Sequence, residues 1–366
     1  MLTLAKSANL CDIGAAAEKI IWRATAGDGD DLDSIWSPYI NYIDGKWYIH
    51  GPCHVRGDAS IRYPYYWVSK TDDPMEGFVF GGKMANYDKN VHSFLNTNPL
   101  SWGGKLYMFS SGCFRASDKS ESHHWEKLFV AEAFDPTSFS TEMTLISTPT
   151  LSWEISYGGV VKIQEGGVPL LSPNGTLYLT YAANETLTDS YCTGLLRFKG
   201  TEKDSLANMS LWEKLPNPLH RYSYGETVFS PGAMVFTTDF EGNDIGVYHA
   251  KHFSAATYNG RATYIQTVRW VNDVPEMDSP TAGVEQTMKA NPMPIGKRIS
   301  GFTIVTNNNA DFDPSAVTTA PITTEPTVDP DESKLSGIHP LLFVSAFAGI
   351  LAFSVCAVII IKKKKK

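Results

Sequence analysis

Residues 42–49, Tyr42-Ile-Asp-Gly-Lys-Trp-Tyr-Ile49, place the turn dipeptide Asp-Gly inside a strand pattern of aromatic and β-branched residues. Asp-Gly is a strong hairpin signal, because both central residues of a type I′ turn have positive φ angles. The same arrangement recurs in three later stretches, Ser101–Phe109, Ser172–Tyr181 and Asp239–Tyr248. The sequence therefore predicts four β-hairpins distributed along most of the chain.

These hairpins recur at a fairly regular distance. Their turn glycines are 59, 71 and 67 residues apart, in the order Gly45, Gly104, Gly175 and Gly242. This period is too long for a solenoid repeat and suits a four-stranded propeller blade with long loops. Independent hairpins would give the same local pattern, so the spacing is what favours a propeller. Helical patterning is almost absent outside the C-terminal tail, and we predict an all-β fold with candidate closing strands at Tyr264–Trp270 and Gly301–Val305.

The composition excludes several classes of protein. With 366 residues, of which 43% are hydrophobic, 12% aromatic and 19% charged, the chain is unlike a disordered polymer, a collagen or a coiled coil. Its net charge is −8, although the last five residues, Lys362–Lys366, are all positive. The rest of the chain is therefore acidic, which is the wrong sign for binding nucleic acid, and we expect no nucleic-acid partner.

The C-terminal tail has the pattern of a membrane anchor. Every residue from Leu341 to Ile361 is apolar or small, and Lys362–Lys366 follow directly. At about 1.5 Å per residue, a helix over 341–361 crosses a hydrocarbon core of roughly 30 Å. By the positive-inside rule, the polylysine tail 362–366 lies in the cytosol and the preceding domain lies in a lumen or outside the cell. We expect a single-pass membrane protein. A cleaved GPI signal is the alternative, although such tails usually end in apolar residues.

The segment before this helix has the composition of a linker. Residues 306–340 are predicted to form a stalk, because Asn307–Asp331 is rich in Thr, Pro, Asn and Asp and nearly lacks large apolar residues. Three N-glycosylation sequons precede the stalk, with acceptor residues Asn174, Asn184 and Asn208. Glycosylation there would agree with a lumenal or extracellular domain.

The N-terminus does not show a matching secretory signal. Residues 1–14 contain no run of seven or more apolar residues behind a basic start. Either the tail acts as a late insertion signal, or the true product begins upstream of Met1. We expect the second.

Several short motifs occur in an order that resembles glycoside hydrolase family 43. They are Ile35-Trp-Ser-Pro38, Thr71–Gly77, Trp153-Glu154 leading to Gln164-Glu-Gly166, Tyr191–Leu195, Tyr248-His-Ala250, and Arg261 with Gln266 and Trp270. The resemblance runs from about Ile20 to Pro280 and is strongest to exo-acting α-L-arabinofuranosidases. It implies a five-bladed β-propeller over residues 1–305 with an incomplete first blade. It also implies hydrolysis of arabinose- or xylose-containing oligosaccharides or polysaccharides by inversion.

The resemblance further implies individual site residues. Inverting hydrolysis needs a carboxylic acid that protonates the glycosidic oxygen and a carboxylate, roughly 6.5–9.5 Å away, that activates water. Glu165 matches the general acid, and Asn96 matches an Asp that in the family raises the pKa of the acid by charge repulsion. No cofactor is expected, although the match of His249 makes it a candidate axial ligand of a structural calcium ion in the central channel. The implied sugar-binding residues are Trp36, Trp153, Tyr157 and Arg261.

Two departures from the family pattern keep two functions open. The amide of Asn96 has no charge with which to repel a proton, and the strand that bears the family's general base has no counterpart in the 35 residues before Trp36. Hydrolysis by these residues as they stand is therefore not expected from the motifs alone. The first function, which we expect from the family, is a membrane-anchored glycosidase whose sequence lacks its leader and first strands. The alternative is a catalytically inactive, lectin-like ectodomain that binds the sugar.

Overall fold

The computed structural model of the protein describes residues 1–8, 10–25, 28, 32–114, 125–222, 225, 227–239, 241–280, 354–356 and 359–361. Nearly all regular structure in these residues is β-strand, which confirms the predicted all-β class. Short 3-10 helices lie in the connections, at Leu10–Ala15, Pro74–Glu76, Ser152–Glu154, Tyr157–Gly159 and Met209–Leu211.

The chain begins with a two-stranded sheet, in which β1 (Leu2–Ala5) pairs with β2 (Glu18–Trp22). A larger first sheet follows. It consists of β3 (Leu32–Ile35), β4 (Tyr39–Ile43), β5 (Lys46–Val55), β6 (Asp58–Ser69) and β7 (Phe78–Lys83). Strands β3 and β4 pair with successive parts of β5, so together they form one interrupted strand beside it.

The second and third sheets are antiparallel meanders that are joined to each other. The second contains β8 (Val91–Trp102), β9 (Lys105–Phe114), β10 (Trp125–Asp135), β11 (Ser138–Phe139) and β12 (Thr144–Ser147). The third contains β13 (Ile155–Ser156), β14 (Val161–Leu171), β15 (Leu177–Ala183), β16 (Cys192–Phe198) and β17 (Trp212–Lys214). A short parallel pairing of β10 with β14 connects the two sheets.

The fourth sheet has the order β18-β19-β20 and is followed by a separate hairpin. Its strands are β18 (Phe229–Thr238), β19 (Asp244–Lys251) and β20 (Arg261–Thr267), and the hairpin is β21 (Arg269–Val271) with β22 (Val274–Glu276). Strand β20 and the hairpin strand β21 account for the predicted strand region Tyr264–Trp270, which is interrupted at Val268.

The four predicted hairpins are present. Residues Asp44 and Gly45 have φ angles of 45° and 86°, as a type I′ turn requires, and Gly103 and Gly104 have 57° and 76°. These turns join β4 to β5 and β8 to β9 with two-residue loops. The hairpins at Gly175 and Gly242 have longer loops and join β14 to β15 and β18 to β19.

The hydrophobic core is divided into clusters that lie between neighbouring sheets. Consecutive sheets pack against each other around the molecule, and the fourth sheet packs against the N-terminal segment, which closes the ring. This is the arrangement of a β-propeller. Each cluster contains residues of neighbouring sheets: one includes Tyr66 and Phe94, another Phe109 and Leu179, a third Leu195 and Phe236, and a fourth Val235, Leu10 and Tyr39.

Several predictions fall largely outside the described residues. These are the strand Gly301–Val305, the stalk 306–340, the polylysine tail and most of the predicted membrane helix 341–361. Within 341–361 the structure describes only β23 (Ser354–Cys356) and β24 (Ile359–Ile361), which pair antiparallel. In the part of the chain that the structure describes, no helix has the length and apolarity needed to cross a membrane.

Candidate active site

Glu165 lies on β14 immediately before a β-bulge. The register of β14 with β15 is regular at Glu165, opposite Ala182, and resumes at Val168, opposite Thr180. Between them Gly166 has a φ angle of +68°, in the left-handed region that favours glycine. A Cβ atom at Gly166 would also lie 3.1 Å from the hydroxyl oxygen of Tyr39. The second residue of the Glu-Gly-Gly sequence is therefore required by the backbone that presents Glu165.

Comparable irregularities occur in each of the other larger sheets. Ser37 between β3 and β4, Ser93 on β8 and Ser230 on β18 all have positive φ angles, like Gly166 on β14. Ser93, Ser230 and Gly166 coincide with register shifts in the pairing of their strands. β-Bulges of this kind are common beside active sites, because they turn a side chain away from the regular pleat.

The carboxyl group of Glu165 is held by a buried tyrosine. The hydroxyl of Tyr191 donates a hydrogen bond of 2.6 Å to Oε1 of Glu165. The Tyr191 ring stacks on His249, with ring centroids 5.6 Å apart and planes 10° from parallel. Burial, and then the nearby charge of Glu165, raise the pKa of Tyr191 well above its ordinary value. Tyr191 therefore remains a protonated donor to Glu165.

A second carboxyl group, that of Glu126, lies beside Glu165. Glu126 on β10 is aligned with Ile163 on β14, two residues before Glu165, so the side chains of Glu126 and Glu165 lie on the same face of the joined sheets. Glu126 is only 7% exposed, and its Oε1 lies 3.3 Å from a guanidinium nitrogen of Arg62. Burial and the charge of Glu165 raise the pKa of Glu126 well above its ordinary value, and Arg62 opposes the rise.

A third acid, Glu185, follows β15 and faces the same group of residues. Burial is the largest cause that raises the pKa of Glu185, and the charge of Glu165 adds to it. The charge of Arg261 and the backbone N–H of Leu187, 3.3 Å from Oε1 of Glu185, act in the opposite direction. The site is therefore a cluster of three carboxyl groups.

Arg261 on β20 supplies a positive charge to this cluster. It donates hydrogen bonds to the hydroxyl and carbonyl of Thr186, and its guanidinium lies over the ring of Tyr258, 5.0 Å from the ring centroid. Burial lowers the pKa of Arg261, while the negative charges of Glu165 and Glu185 oppose that effect. The arrangement can bind a polar, uncharged ligand through an acid, a cation and several phenol rings.

Asn96 supports the backbone next to Glu165. Its Oδ1 accepts hydrogen bonds from the backbone N–H of Gly166, at 3.2 Å, and from the hydroxyl of Ser111. Its Nδ2 lies 3.5 Å from the carbonyl oxygen of Gly167, which also accepts a 2.7 Å hydrogen bond from Asn98. The structure thus brings Asn96 and Glu165 together, as the motifs predict, but with a neutral amide.

Comparison with known proteins supplies the family. The profile of the family described as "Glycosyl hydrolases family 43" matches residues 2–275 of the 366. The chain belongs to glycosyl hydrolases family 43. This agrees with the family resemblance of the short motifs.

Curated relatives of this family 43 protein include two named arabinofuranosidases. An extracellular exo-α-(1→5)-L-arabinofuranosidase of Streptomyces avermitilis is 30% identical over 291 residues, which are 77% of this chain and 57% of the relative. An α-L-arabinofuranosidase 43 of Humicola insolens is 28% identical over 307 residues, 76% of this chain and 58% of the relative. The chain thus spans somewhat more than half the length of these two relatives.

Solved structures of the family support the fold. An α-L-arabinofuranosidase from Lactobacillus brevis matches with a TM-score of 0.65 and 24% identity, over 74% of this chain and 83% of that chain. A thermostable family 43 glycoside hydrolase matches with a TM-score of 0.59 and 18% identity, over 71% of this chain and 79% of that chain. At these identities the likeness shows a shared propeller fold.

The predicted sugar-binding aromatic residues of this family 43 site divide into two groups. Trp36 lies against the cluster, since the guanidinium of Arg62 is 4.9 Å from the centroid of its ring. Tyr157 is 51% exposed, and its pKa is raised by burial and by the charge of Glu185, so it lies at the rim. Trp153 instead is half-buried against the core, where it stacks on Tyr181 and donates to the carbonyl of Pro216 at 2.9 Å. These contacts give Trp153 a packing role, and its contact with the sugar stays a prediction.

The surroundings of His249 do not suit a calcium ion. His249 is buried, and burial followed by the charges of Arg261 and Lys251 lowers its pKa well below the ordinary value. Calcium prefers several carboxylate and carbonyl oxygens, whereas this ring has two cations as neighbours. In the described ranges, no group of three or more His, Cys, Asp or Glu residues is arranged to hold a metal ion.

Sequence reasoning missed the two additional carboxyl groups. Glu126 lies in no recognisable motif, and only the register of β10 against β14 places it beside Glu165. Glu185 occupies the middle position of a sequon, which drew attention to Asn184 instead. Tyr191 and Arg62 were missed as site residues as well. The available signal in the sequence was a Glu at the start of a largely apolar strand pattern, Trp125–Ala131, where a charged residue is seldom buried unless it is paired.

The three sequons differ in their surroundings. Asn174 and Asn208 are exposed, and their glycosylation stays a prediction. Asn184 is 4% exposed, and its Nδ2 donates a 3.0 Å hydrogen bond to the carbonyl oxygen of Trp153. Because Nδ2 is the atom that would carry the glycan, the prediction for Asn184 is wrong for the folded protein.

Proposed function

We propose that this protein is a glycoside hydrolase that releases α-L-arabinofuranosyl units, with Glu165 as the general acid. The observation that carries the proposal is the position of the Glu165 carboxyl, hydrogen-bonded to buried Tyr191 and beside Glu126, in a chain of family 43. A general acid must hold a proton near the glycosidic oxygen, and neighbouring acids favour its retention.

The substrate class comes from the relatives. The Streptomyces relative is named an exo-α-(1→5)-L-arabinofuranosidase, and the Humicola relative is named an α-L-arabinofuranosidase. We therefore propose arabinose-containing oligosaccharides or polysaccharides as substrates. Arg261 and Tyr157 would contact the sugar hydroxyls, and the ring of Trp36 would pack on a sugar C–H face.

Two substrates with different leaving groups test the role of Glu165. We expect Glu165→Gln to lower hydrolysis of α-1,5-linked arabino-oligosaccharides by about 10²–10⁴-fold, the usual contribution of a general acid. The loss should be much smaller on an aryl α-L-arabinofuranoside whose phenolate leaves without protonation. Arabinose release and phenolate absorbance measure the two reactions.

A matched control for this test is Glu213→Gln. Glu213 on β17 pairs with Arg197 of β16, and both side chains are 41% exposed. This variant removes a carboxylate outside the cluster and should leave both rates unchanged. Equal turnover of arabino-oligosaccharides by the Glu165→Gln variant and the unmodified protein would remove Glu165 from the mechanism.

A second candidate function, binding without hydrolysis, is favoured by the neutral amide of Asn96. It predicts saturable quenching of tryptophan fluorescence by arabino-oligosaccharides, with no arabinose released by the protein at any pH. Release above the level of the Glu165→Gln variant would exclude it.

We also propose the finer architecture and the location of the chain. Strands β1 and β2 pack against the first sheet through Leu2, Leu4 and Trp22, which supports their assignment to the incomplete first of five blades. The composition of 341–361 and the following lysines support a membrane anchor with a cytosolic C-terminus. Extraction by detergent but not by alkaline carbonate tests the anchor, and release of the intact chain by carbonate would contradict it.

A further inference from the structure

We propose, building on the proposed function, that Glu126 shares one proton with Glu165 and thereby supplies the charge that the amide of Asn96 lacks. Glu126 acts through Glu165 and is therefore a positioning residue for the proton. It lies on β10, whereas Asn96 lies on β8, so the same chemical requirement is met from a different strand.

The first step is geometric. Strands β10 and β14 pair in parallel at Trp125 with Lys162 and at Glu126 with Ile163. Aligned residues point to the same face, and so do residues two apart on one strand. The side chains of Glu126 and Glu165 are therefore diagonal neighbours across the join between the second and third sheets. The bulge in β14 begins only after Glu165, so it does not disturb this relation.

The second step concerns the partners of the Glu126 carboxyl. Oε1 faces Arg62, whose guanidinium also donates a 2.5 Å hydrogen bond to the hydroxyl of Ser93. Oε2 is fully buried and has no hydrogen-bond partner in the described part of the chain. A buried carboxyl oxygen without a partner is costly unless it carries or receives a proton. A shared proton at Oε2 meets that need.

The third step concerns charge. Two carboxyl groups in contact do not both ionise readily, so such a pair keeps one proton over a wide pH range. Arg62 lies beside Glu126, and the Tyr191 hydroxyl donates to Glu165. The proton therefore has an acceptable position on either side. The other charged or titratable groups facing the pair are Glu185, Arg261, Tyr258 and Tyr39.

The proton balance of the proposed step is simple. When the glycosidic oxygen takes the shared proton from Glu165, the O–H bond of Glu165 breaks, an O–H bond forms on the leaving sugar, and the bond from the anomeric carbon to that oxygen breaks. Water adds to the anomeric carbon and releases its proton to solvent. Both carboxyls are then ionised, with Glu126 beside Arg62 and Glu165 accepting from Tyr191, until solvent restores the one shared proton before the next cycle.

Carbon NMR of the full-length protein labelled at the glutamate carboxyl carbon tests this sharing directly. We expect one titration step of the paired carboxyls well above the ordinary glutamate pKa of about 4.3. In Glu126→Gln this high step should disappear, and in Glu165→Gln the remaining step should move to lower pH. The reciprocal variant keeps the test valid if Glu126→Gln does not fold. The inference would be overturned if the unmodified protein lacked this high titration step. It would also be overturned if the step were unchanged in either variant.

Glu132→Gln is the matched control. Glu132 lies on the same strand, β10, and pairs with Lys105 at 2.8 Å on the sheet surface. Its replacement should leave the high titration step in place. The NMR result does not depend on turnover, so it separates the two proposals. A shared proton without arabinose release counts against the proposed function, and release without a shared proton counts against this inference.

Discussion

At the scale of single residues, the amide of Asn96 is the main departure from the family pattern, and its surroundings would accept a carboxylate. Oδ1 already accepts two hydrogen bonds, from Gly166 and Ser111, which a carboxylate oxygen accepts equally well. The only donor lost would be the 3.5 Å contact from Nδ2 to the Gly167 carbonyl, and that carbonyl keeps its shorter bond from Asn98.

We expect Asn96→Asp to lose some stability, because the new carboxylate is fully buried and its second oxygen faces the Gly167 carbonyl, and to change the chemistry. A negative charge next to Gly166 favours retention of the proton on the acid, so the alkaline limb of the pH–rate profile for arabinose release should move to higher pH. The matched variant Asn98→Asp adds the same charge but removes the 2.7 Å donor to Gly167. It should lower the melting temperature, and an equal shift of the alkaline limb in both variants would contradict the specific role of position 96.

The sequence predicted those site residues that lie in motifs. Glu165, Asn96 and Arg261 lie on the strands β14, β8 and β20, whereas Trp36 and Tyr157 lie in connections between strands. Glu126 and Glu185 were not predictable, since their place depends on the register between strands and on a loop that no local pattern describes. Trp153 was assigned to the sugar because an indole suits both a sugar face and a core, and only its contacts decide between them.

At the scale of elements, the bulge in β14 presents Glu165. Turn dipeptides predicted the hairpins, because positive φ angles restrict those positions to few residue types. The bulge was not predicted, since a Gly-Gly pair also fits an ordinary loop. The parallel join of β10 and β14 leaves no local sequence pattern at all.

Substitution of the bulge glycine should be destabilising in a position-specific way. We expect Gly166→Ala to lower the free energy of unfolding by about 1–2 kcal/mol, the cost of a left-handed backbone for an L residue. Gly167→Ala is the control, because its Cβ would meet only ordinary contacts, 3.5 Å from Leu128 and 3.6 Å from Leu179. Urea unfolding measures both. An equal loss in the two variants would contradict the role of the left-handed backbone at Gly166.

At the scale of the whole molecule, buried histidines connect the sheets and make stability depend on pH. Nε2 of His50, on β5, lies 2.7 Å from the carbonyl oxygen of Pro136, which follows β10. Burial lowers the pKa of His50 to about 4 and that of His220 to about 4. Both rings are therefore neutral in the folded protein at neutral pH.

The sign of the effect follows from proton linkage. The unfolded chain binds protons at these histidines near pH 6.5 and the folded chain only near pH 4, so stability falls as the pH falls between these values. The loss is on the order of 3 kcal/mol per histidine at pH 4. The slope of unfolding free energy against pH reflects the number of protons taken up on unfolding. We expect His50→Asn to lower that number by about one, whereas replacement of exposed His252 should leave it unchanged. A slope unchanged by His50→Asn would contradict this role.

The two pairs that join β10 to β14 have a consequence for how the protein would lose activity. Glu126 and Glu165 reside on separate sheets whose strand pairing, in the described residues, consists of Trp125 with Lys162 and Glu126 with Ile163. A slip of one position along that seam would turn one acid to the reverse side of its ribbon while every hairpin stayed intact. Loss of the Glu126–Glu165 pair can thus precede melting, because the pair depends on a boundary between sheets.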